Sequence, residues 1–242
     1  ILITITQPAV LTASIQQTAT SCFGGNDGSA TVLPSGGTSP YSYSWSNGSV
    51  NQSATGLTTG LYTCTITDAN GCIKTKSITV TQPNQVLLQS TTINDVSCYN
   101  GNDGDITIII VGGTTPYTYI WNTGATVNTL TNLTEGTYNC DVTDTNGCTI
   151  PTISINVNSP TDLFYSVTTN NVSCMGGNNG SSTLNVSGGT PGYSYSWNNG
   201  STSQTINNLS AGNYTCTITD ANGCTKQATA NISQPPTLLT LT

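Results

Sequence analysis

Apolar and polar residues alternate along the 242-residue chain with a period of two, in short runs closed by Gly, Asn and Pro. "YSYSW" places Tyr41, Tyr43 and Trp45 on one face of an extended segment and Ser42 and Ser44 on the other. "LYTCTITD" repeats the device with Tyr62, Cys64 and Ile66. No segment carries an apolar stripe of helical period. The pattern predicts strands near Val10–Ala19, Ser29–Pro34, Tyr41–Ser46, Gln52–Gly56, Leu61–Thr67 and Ile73–Thr81. Turn signals about every 8–12 residues point to an antiparallel β-sandwich, with the aromatic face inward and the serine face wet.

The pattern recurs. Cysteines fall at 22, 64 and 72, then at 98, 140 and 148, then at 174, 216 and 224, each triplet displaced by 76 residues. Trp45, Trp121 and Trp197 keep the same step, as do "DANGC", "DTNGC" and "DANGC" ending at Cys72, Cys148 and Cys224. Three copies of one module follow, over 9–83, 84–160 and 161–235. "ITITQP" (Ile3–Pro8) matches "ITVTQP" (Ile78–Pro83), so 1–8 reads as the last strand of a preceding copy. "PTLLTLT" (Pro236–Thr242) resembles "NQVLLQS" (Asn84–Ser90), so 236–242 reads as the first strand of a following one. The modules are joined through Gln-Pro or Ser-Pro with almost no linker. Proline fixes φ and removes a donor, so the expected arrangement is a rod.

A tryptophan on one central strand and Tyr-x-Cys on another match the immunoglobulin pattern. The core aromatics are then Tyr43 and Trp45, Tyr119 and Trp121, Tyr195 and Trp197. In the hairpin turns, Asp68, Asp144 and Asp220 cap their own loops. Gly71, Gly147 and Gly223 supply the residue that tolerates positive φ. A 76-residue unit buries a small core and gains from a staple. Cys22–Cys72 would close a loop of about 50 residues, worth roughly 4 kcal/mol in chain entropy. Cys98–Cys148 and Cys174–Cys224 would do the same, leaving Cys64, Cys140 and Cys216 as buried thiols. Cys22–Cys64, imitating the immunoglobulin bridge, stands as the alternative.

Composition narrows the function. Charged residues are 5% of the chain, histidine is absent, and ten acids against three lysines give a net charge of −7. Such a surface cannot neutralise phosphates, which excludes nucleic acid as a partner. Without histidine there is no Ser-His-Asp or Cys-His pair, and Cys64 would lack both a base and a basic neighbour. No C-x-x-C pair points to zinc, and Asp27 and Asp103 give way to Asn179 in the third copy, against calcium. The chain is therefore read as a non-enzyme without metal or cofactor. No apolar run reaches the roughly 20 residues of a membrane span, so direct membrane insertion is not expected. Nine cysteines indicate an oxidising compartment.

"CFGGNDGSATV", "SGGTSPYSYSW", "GLYTCTITDANGC" and "ITVTQP" together resemble the SprB repeat of very large cell-surface adhesins of gliding Bacteroidetes. That repeat usually carries the first and last cysteine, which favours Cys22–Cys72. It commonly has valine where this chain has Cys64, Cys140 and Cys216. The resemblance implies type IX secretion, display on the outer surface, and a part in adhesion or gliding. The expected function is a structural and adhesive segment of an extracellular filament or stalk, with other repeats of the same chain as partners. A carbohydrate-binding array recognising surface polysaccharide, or a fibre formed by lateral self-association, are the other classes considered.

Overall fold

The computed structural model describes residues 7–236. The two end strands read at 1–8 and 236–242 therefore lie outside the described residues, apart from Gln7, Pro8 and Pro236. All regular structure described is β. The first repeat contains β1 (Thr12–Thr18), β2 (Gly28–Ser35), β3 (Ser42–Trp45), β4 (Ser53–Leu57), β5 (Gly60–Thr67) and β6 (Ile73–Val80). The second contains β7 (Leu87–Asn94), β8 (Gly104–Val111), β9 (Thr118–Trp121), β10 (Thr129–Leu133), β11 (Gly136–Thr143) and β12 (Ile153–Val157). The third contains β13 (Phe164–Asn170), β14 (Gly180–Ser187), β15 (Ser194–Trp197), β16 (Thr205–Leu209), β17 (Gly212–Thr219) and β18 (Thr225–Ile232).

Each repeat forms two three-stranded sheets, in the orders β1-β2-β4 and β3-β5-β6 for the first and in the same pattern for the others. In the first repeat β2 runs antiparallel to β1 and β4, and β5 antiparallel to β3 and β6. The third repeats this arrangement. A bulge interrupts the ladder of the strands β2 and β4 and its counterparts. The positive-φ residue beside it is Gly56, Asn132 or Asn208, the two residue types that best tolerate left-handed backbone.

The chain divides into two compact units. One takes in residues up to Thr91 with Ile108–Asn128 and Asn139–Ile153; the other takes in Thr92–Thr107, Thr129–Tyr138 and Ser154 onward. The first unit contains the whole core of the first repeat. Val32, Trp45, Leu57, Cys64, Ile66 and Val80 meet there, drawn from both sheets, with Tyr41, Tyr43 and Tyr62 packed at its margin. The second unit contains the matching core of the third repeat, around Leu184, Trp197, Cys216, Ile218 and Ile232.

The indole of Trp45 is buried, and its Nε1–H donates to the Asn51 carbonyl at 2.8 Å. Trp121 and Trp197 donate likewise to Val127 and Ser203. In register, Trp45 faces Cys64, Trp121 faces Cys140 and Trp197 faces Cys216. Two residues before each of these cysteines, Tyr62, Tyr138 or Tyr214 donates its hydroxyl to a carbonyl four residues upstream. This is the tyrosine corner of immunoglobulin-like sandwiches. Among the described residues Cys64, Cys140 and Cys216 are free thiols, so they form no inter-sheet cystine of the usual kind.

Candidate functional site: the cystine joints between repeats

The loop between β1 and β2 presents the first cysteine of the repeat. Asp27 shapes it by accepting from the Ser21 amide at 3.0 Å and from the Ser21 hydroxyl. Those bonds, the side-chain one foremost, hold the Asp27 carboxyl below its ordinary range. The Gly25 amide and Thr20 hydroxyl donate to the Cys22 carbonyl, and the Gly24 amide donates to the Gln82 side chain. Asp103 braces Ser97 in the second repeat in the same way. In the third, Asn179 accepts from the Ser173 amide at 3.0 Å and donates to its hydroxyl at 2.8 Å. Aspartate and asparagine are thus interchangeable at this position because either can brace the serine.

The turn between β5 and β6 presents the last cysteine. Asp68 is buried, and its carboxylate accepts the amides of Asn70, Cys72 and Thr38 at 2.8–3.0 Å. Asp144 accepts those of Asn146, Cys148 and Thr114, and Asp220 those of Asn222, Cys224 and Thr190. Amide donation from Thr38 and then Cys72 lowers the pKa of Asp68. For Asp144 and Asp220 burial works in the opposite direction, but the converging amides outweigh it and both pKa values are lowered. Gly71, Gly147 and Gly223 sit at positive φ in these turns.

Loop and turn stand at opposite ends of a sandwich. The Thr20 amide donates to the carbonyl of Thr81, just past the end of β6, whereas Cys72 immediately precedes that strand. Eight residues of strand separate the ends by about 26 Å, and a disulfide needs Cα atoms within about 7 Å. The expected bridge Cys22–Cys72 is therefore excluded, and with it the alternative Cys22–Cys64, since Cys64 is buried mid-strand. The third repeat excludes Cys174–Cys224 in the same way: Val172 bonds to Ser233 past the end of β18, and Cys224 precedes that strand.

The cystines connect neighbouring repeats instead. Within the first unit Cys22 is bonded to Cys148, and within the second Cys98 is bonded to Cys224, both with Cα atoms 5.6 Å apart and partners separated by 126 positions in sequence. Cys98–Cys148 is thereby replaced as well. At the first joint the Asn146 side chain donates to the Ser21 carbonyl at 3.0 Å. Asn222 donates to Ser97 at 3.0 Å at the second. Phe23 lies beside Asn84–Val86, and Tyr99 beside Pro160–Leu163. The Asp-x-Asn-Gly-Cys turn thus does more than close a hairpin. Its aspartate sets the loop, its asparagine grips the neighbouring repeat and its cysteine bonds it.

Cys64, Cys140 and Cys216 are buried free thiols, and Cys72 and Cys174 are exposed free thiols. Burial raises the pKa of Cys64 and Cys216, and raises that of Cys140 to about 11. Such thiols are poor nucleophiles at neutral pH. Burial likewise raises Tyr43, Tyr119 and Tyr195, which lie half-covered beside the tryptophans. Among the described residues no group of three or more His, Cys, Asp or Glu is arranged to hold a metal ion.

The sheets, the tryptophans and the tyrosine corners define a tandem immunoglobulin-like β-sandwich protein. The particular module is the SprB repeat: its sequence model matches residues 14–50, 90–126 and 166–202, and the chain carries three SprB repeats. Among solved structures, the three N-terminal domains of the highly immunogenic outer capsid protein Hoc of bacteriophage RB49 share the fold. Identity is 15% and the TM-score 0.50, over 94% of this chain and 100% of that one. Sidekick-1 immunoglobulin domains 1–5 align at 13% identity and a TM-score of 0.41, over 95% of this chain and 60% of that one. No curated protein matches the sequence.

Proposed function

We propose that the chain is a structural, adhesive segment of an extracellular cell-surface filament, in which SprB repeats carry an adhesive surface away from the cell. The observation that carries this reading is the pair of cystines joining the first cysteine of one repeat to the last cysteine of the next. A bond between repeats does little for the core of either. It restrains the joint, which is what a spacer needs. The SprB repeat belongs to cell-surface adhesins, and stable cystines fit an extracellular setting. The three tryptophans are buried and so present no stacking surface to a sugar, and burial raises the pKa of Cys64, Cys140 and Cys216.

Small-angle scattering of the oxidised chain should give a narrower distance distribution than that of the Cys148→Ser, Cys224→Ser double variant, in which both joints are released. A distribution unchanged by removing both cystines would overturn the spacer reading. Secretion by the type IX route and a part in gliding are the finer elements of the proposal. Deleting this segment from the parent protein should weaken surface attachment while leaving secretion intact.

A further inference from the structure

Three nucleophiles lie buried where packing alone would accept a hydrocarbon. Cys64, Cys140 and Cys216 are free thiols in the interior, each opposite a tryptophan in its strand ladder. Two of them share a strand and turn with a cystine. "CDVTDTNGC" runs from the Cys140 thiol to Cys148, which is bonded to Cys22. "CTITDANGC" runs from the Cys216 thiol to Cys224, which is bonded to Cys98. The fold keeps thiol and cystine apart. From Cys140 to the end of β11 at Thr143 is about 10 Å of strand, and Cys148 lies beyond the turn. Cys140 Sγ sits against the Asp141 carbonyl at 3.7 Å, and burial raises its pKa to about 11, so almost no thiolate is present at neutral pH. Burial raises the Cys216 pKa too, with its Sγ against the Thr217 carbonyl at 3.6 Å.

Unfolding removes these restraints together. The strand becomes flexible, and the thiol returns to the ordinary cysteine pKa of about 8.5. Closing the short stretch between Cys140 and Cys148 costs far less chain entropy than holding cysteines that stand 126 positions apart. We infer that Cys140 and Cys216 are release triggers for the joints: when β11 or β17 leaves its sheet, the thiol it carries exchanges with the cystine at the end of its own turn. The Cys140 thiolate attacks Cys148 Sγ. The Cys140–Cys148 bond forms as the Cys22–Cys148 bond breaks, and Cys22 departs as a thiolate that takes up the proton Cys140 gave up. The exchange consumes no oxidant or reductant. Cys216 acts on Cys224 in the same way and frees Cys98. Of the two, Cys140 lies on the loaded path. Tension from Cys22 to Cys224 runs through the backbone between Cys98 and Cys148, which contains β11. The first joint therefore lets go only after that sandwich has yielded. The inference rests on the spacer reading only for the source of the load, and the exchange itself is read in denaturant without it.

The test uses the full chain with Cys72→Ser and Cys174→Ser, so that only buried thiols can react. At pH 8 without added thiol, native protein should keep Cys22–Cys148 and Cys98–Cys224. After about an hour in guanidinium, alkylation and peptide mass mapping should find Cys140–Cys148 and Cys216–Cys224, with Cys22 and Cys98 alkylated. Adding Cys140→Val should preserve Cys22–Cys148 while Cys98–Cys224 still exchanges, and Cys216→Val should do the reverse. Circular dichroism before unfolding verifies that the variants start from the β fold. Original cystines that survive unfolding with Cys140 and Cys216 alkylated would overturn the inference, as would exchange that proceeds equally in the valine variants. Magnetic tweezers then read the load. Chains held by their termini should show an irreversible further lengthening after the second repeat unfolds, in the parent and in Cys216→Val but not in Cys140→Val. The same lengthening in Cys140→Val would remove the assigned role of Cys140 under load, whatever the outcome for the spacer reading.

Discussion

Five free cysteines divide by environment into two chemical kinds. Cys64, Cys140 and Cys216 are buried opposite tryptophans in the strand ladders, where burial disfavours the thiolate; Cys72 and Cys174 are exposed. Iodoacetamide at pH 8 should therefore modify Cys72 and Cys174 in the native protein and reach the other three only in denaturant, as peptide mass mapping will show. The SprB repeat commonly has valine at this position, so Cys64→Val should change stability by less than about 1.5 kcal/mol in a denaturant melt. The carboxylates set a different dependence. Asp68, Asp144 and Asp220 have folded pKa values below the ordinary 3.8. Their contribution is fully present above that value and is lost as pH falls through the lower, folded values. Melting temperature measured from pH 5 to pH 2 should drop over that window, and the drop should be shallower in Asp144→Asn, which cannot ionise. That aspartate would cap its turn was legible from Asp-x-Asn-Gly. That its neighbour Asn146 reaches across to Ser21 was not, because a side-chain amide two residues from a turn looks the same whether its partner is local or in the next repeat.

At the scale of strands, periodicity carried most of the information. The six expected strands of the first repeat coincide with β1–β6 to within about two residues at each end, since alternation, β-branched residues and turn glycines all agree there. The tyrosine corner was half visible: Tyr-x-Cys marks the strand, but the acceptor carbonyl of Thr58 carries no signature. Two positions show how tightly sheets and connections fit. A Cβ at Gly36 would collide with the Val10 carbonyl, and one at Gly112 with that of Gln85, both at positive φ. Gly112→Ala should cost at least about 1–2 kcal/mol from left-handed backbone alone, and more from the collision, read as a shifted urea midpoint. The cysteine pairing failed at this scale for a topological reason. Once β2 is antiparallel to β1 and β5 to β6, the loop holding Cys22 and the turn holding Cys72 fall at opposite ends of the sandwich. Spacings of about 50 and 126 residues were both present in the cysteine pattern. Only strand direction, which the immunoglobulin pattern already implied, distinguishes them.

The whole molecule is a single backbone cross-tied to itself. Each cystine closes a loop of 126 residues, worth about 5 kcal/mol in the chain-entropy estimate, so reduction should lower the melting temperature of the array. A protease cut between Pro83 and Val86 should leave the repeats joined on a non-reducing gel and release them only after a reducing agent is added. The cross-ties also reroute mechanical load. From Cys22 to Cys224 the shortest covalent route jumps to Cys148, runs back along the second repeat to Cys98, and jumps again. A pull on Cys22 and Cys224 would then bypass β2–β7, β12–β17 and both proline joints, and load only the roughly fifty residues between Cys98 and Cys148 that include β8–β11. The cystines act as a stop on extension, and a chain that lost them to a reductant would lengthen further under load before its backbone drew taut.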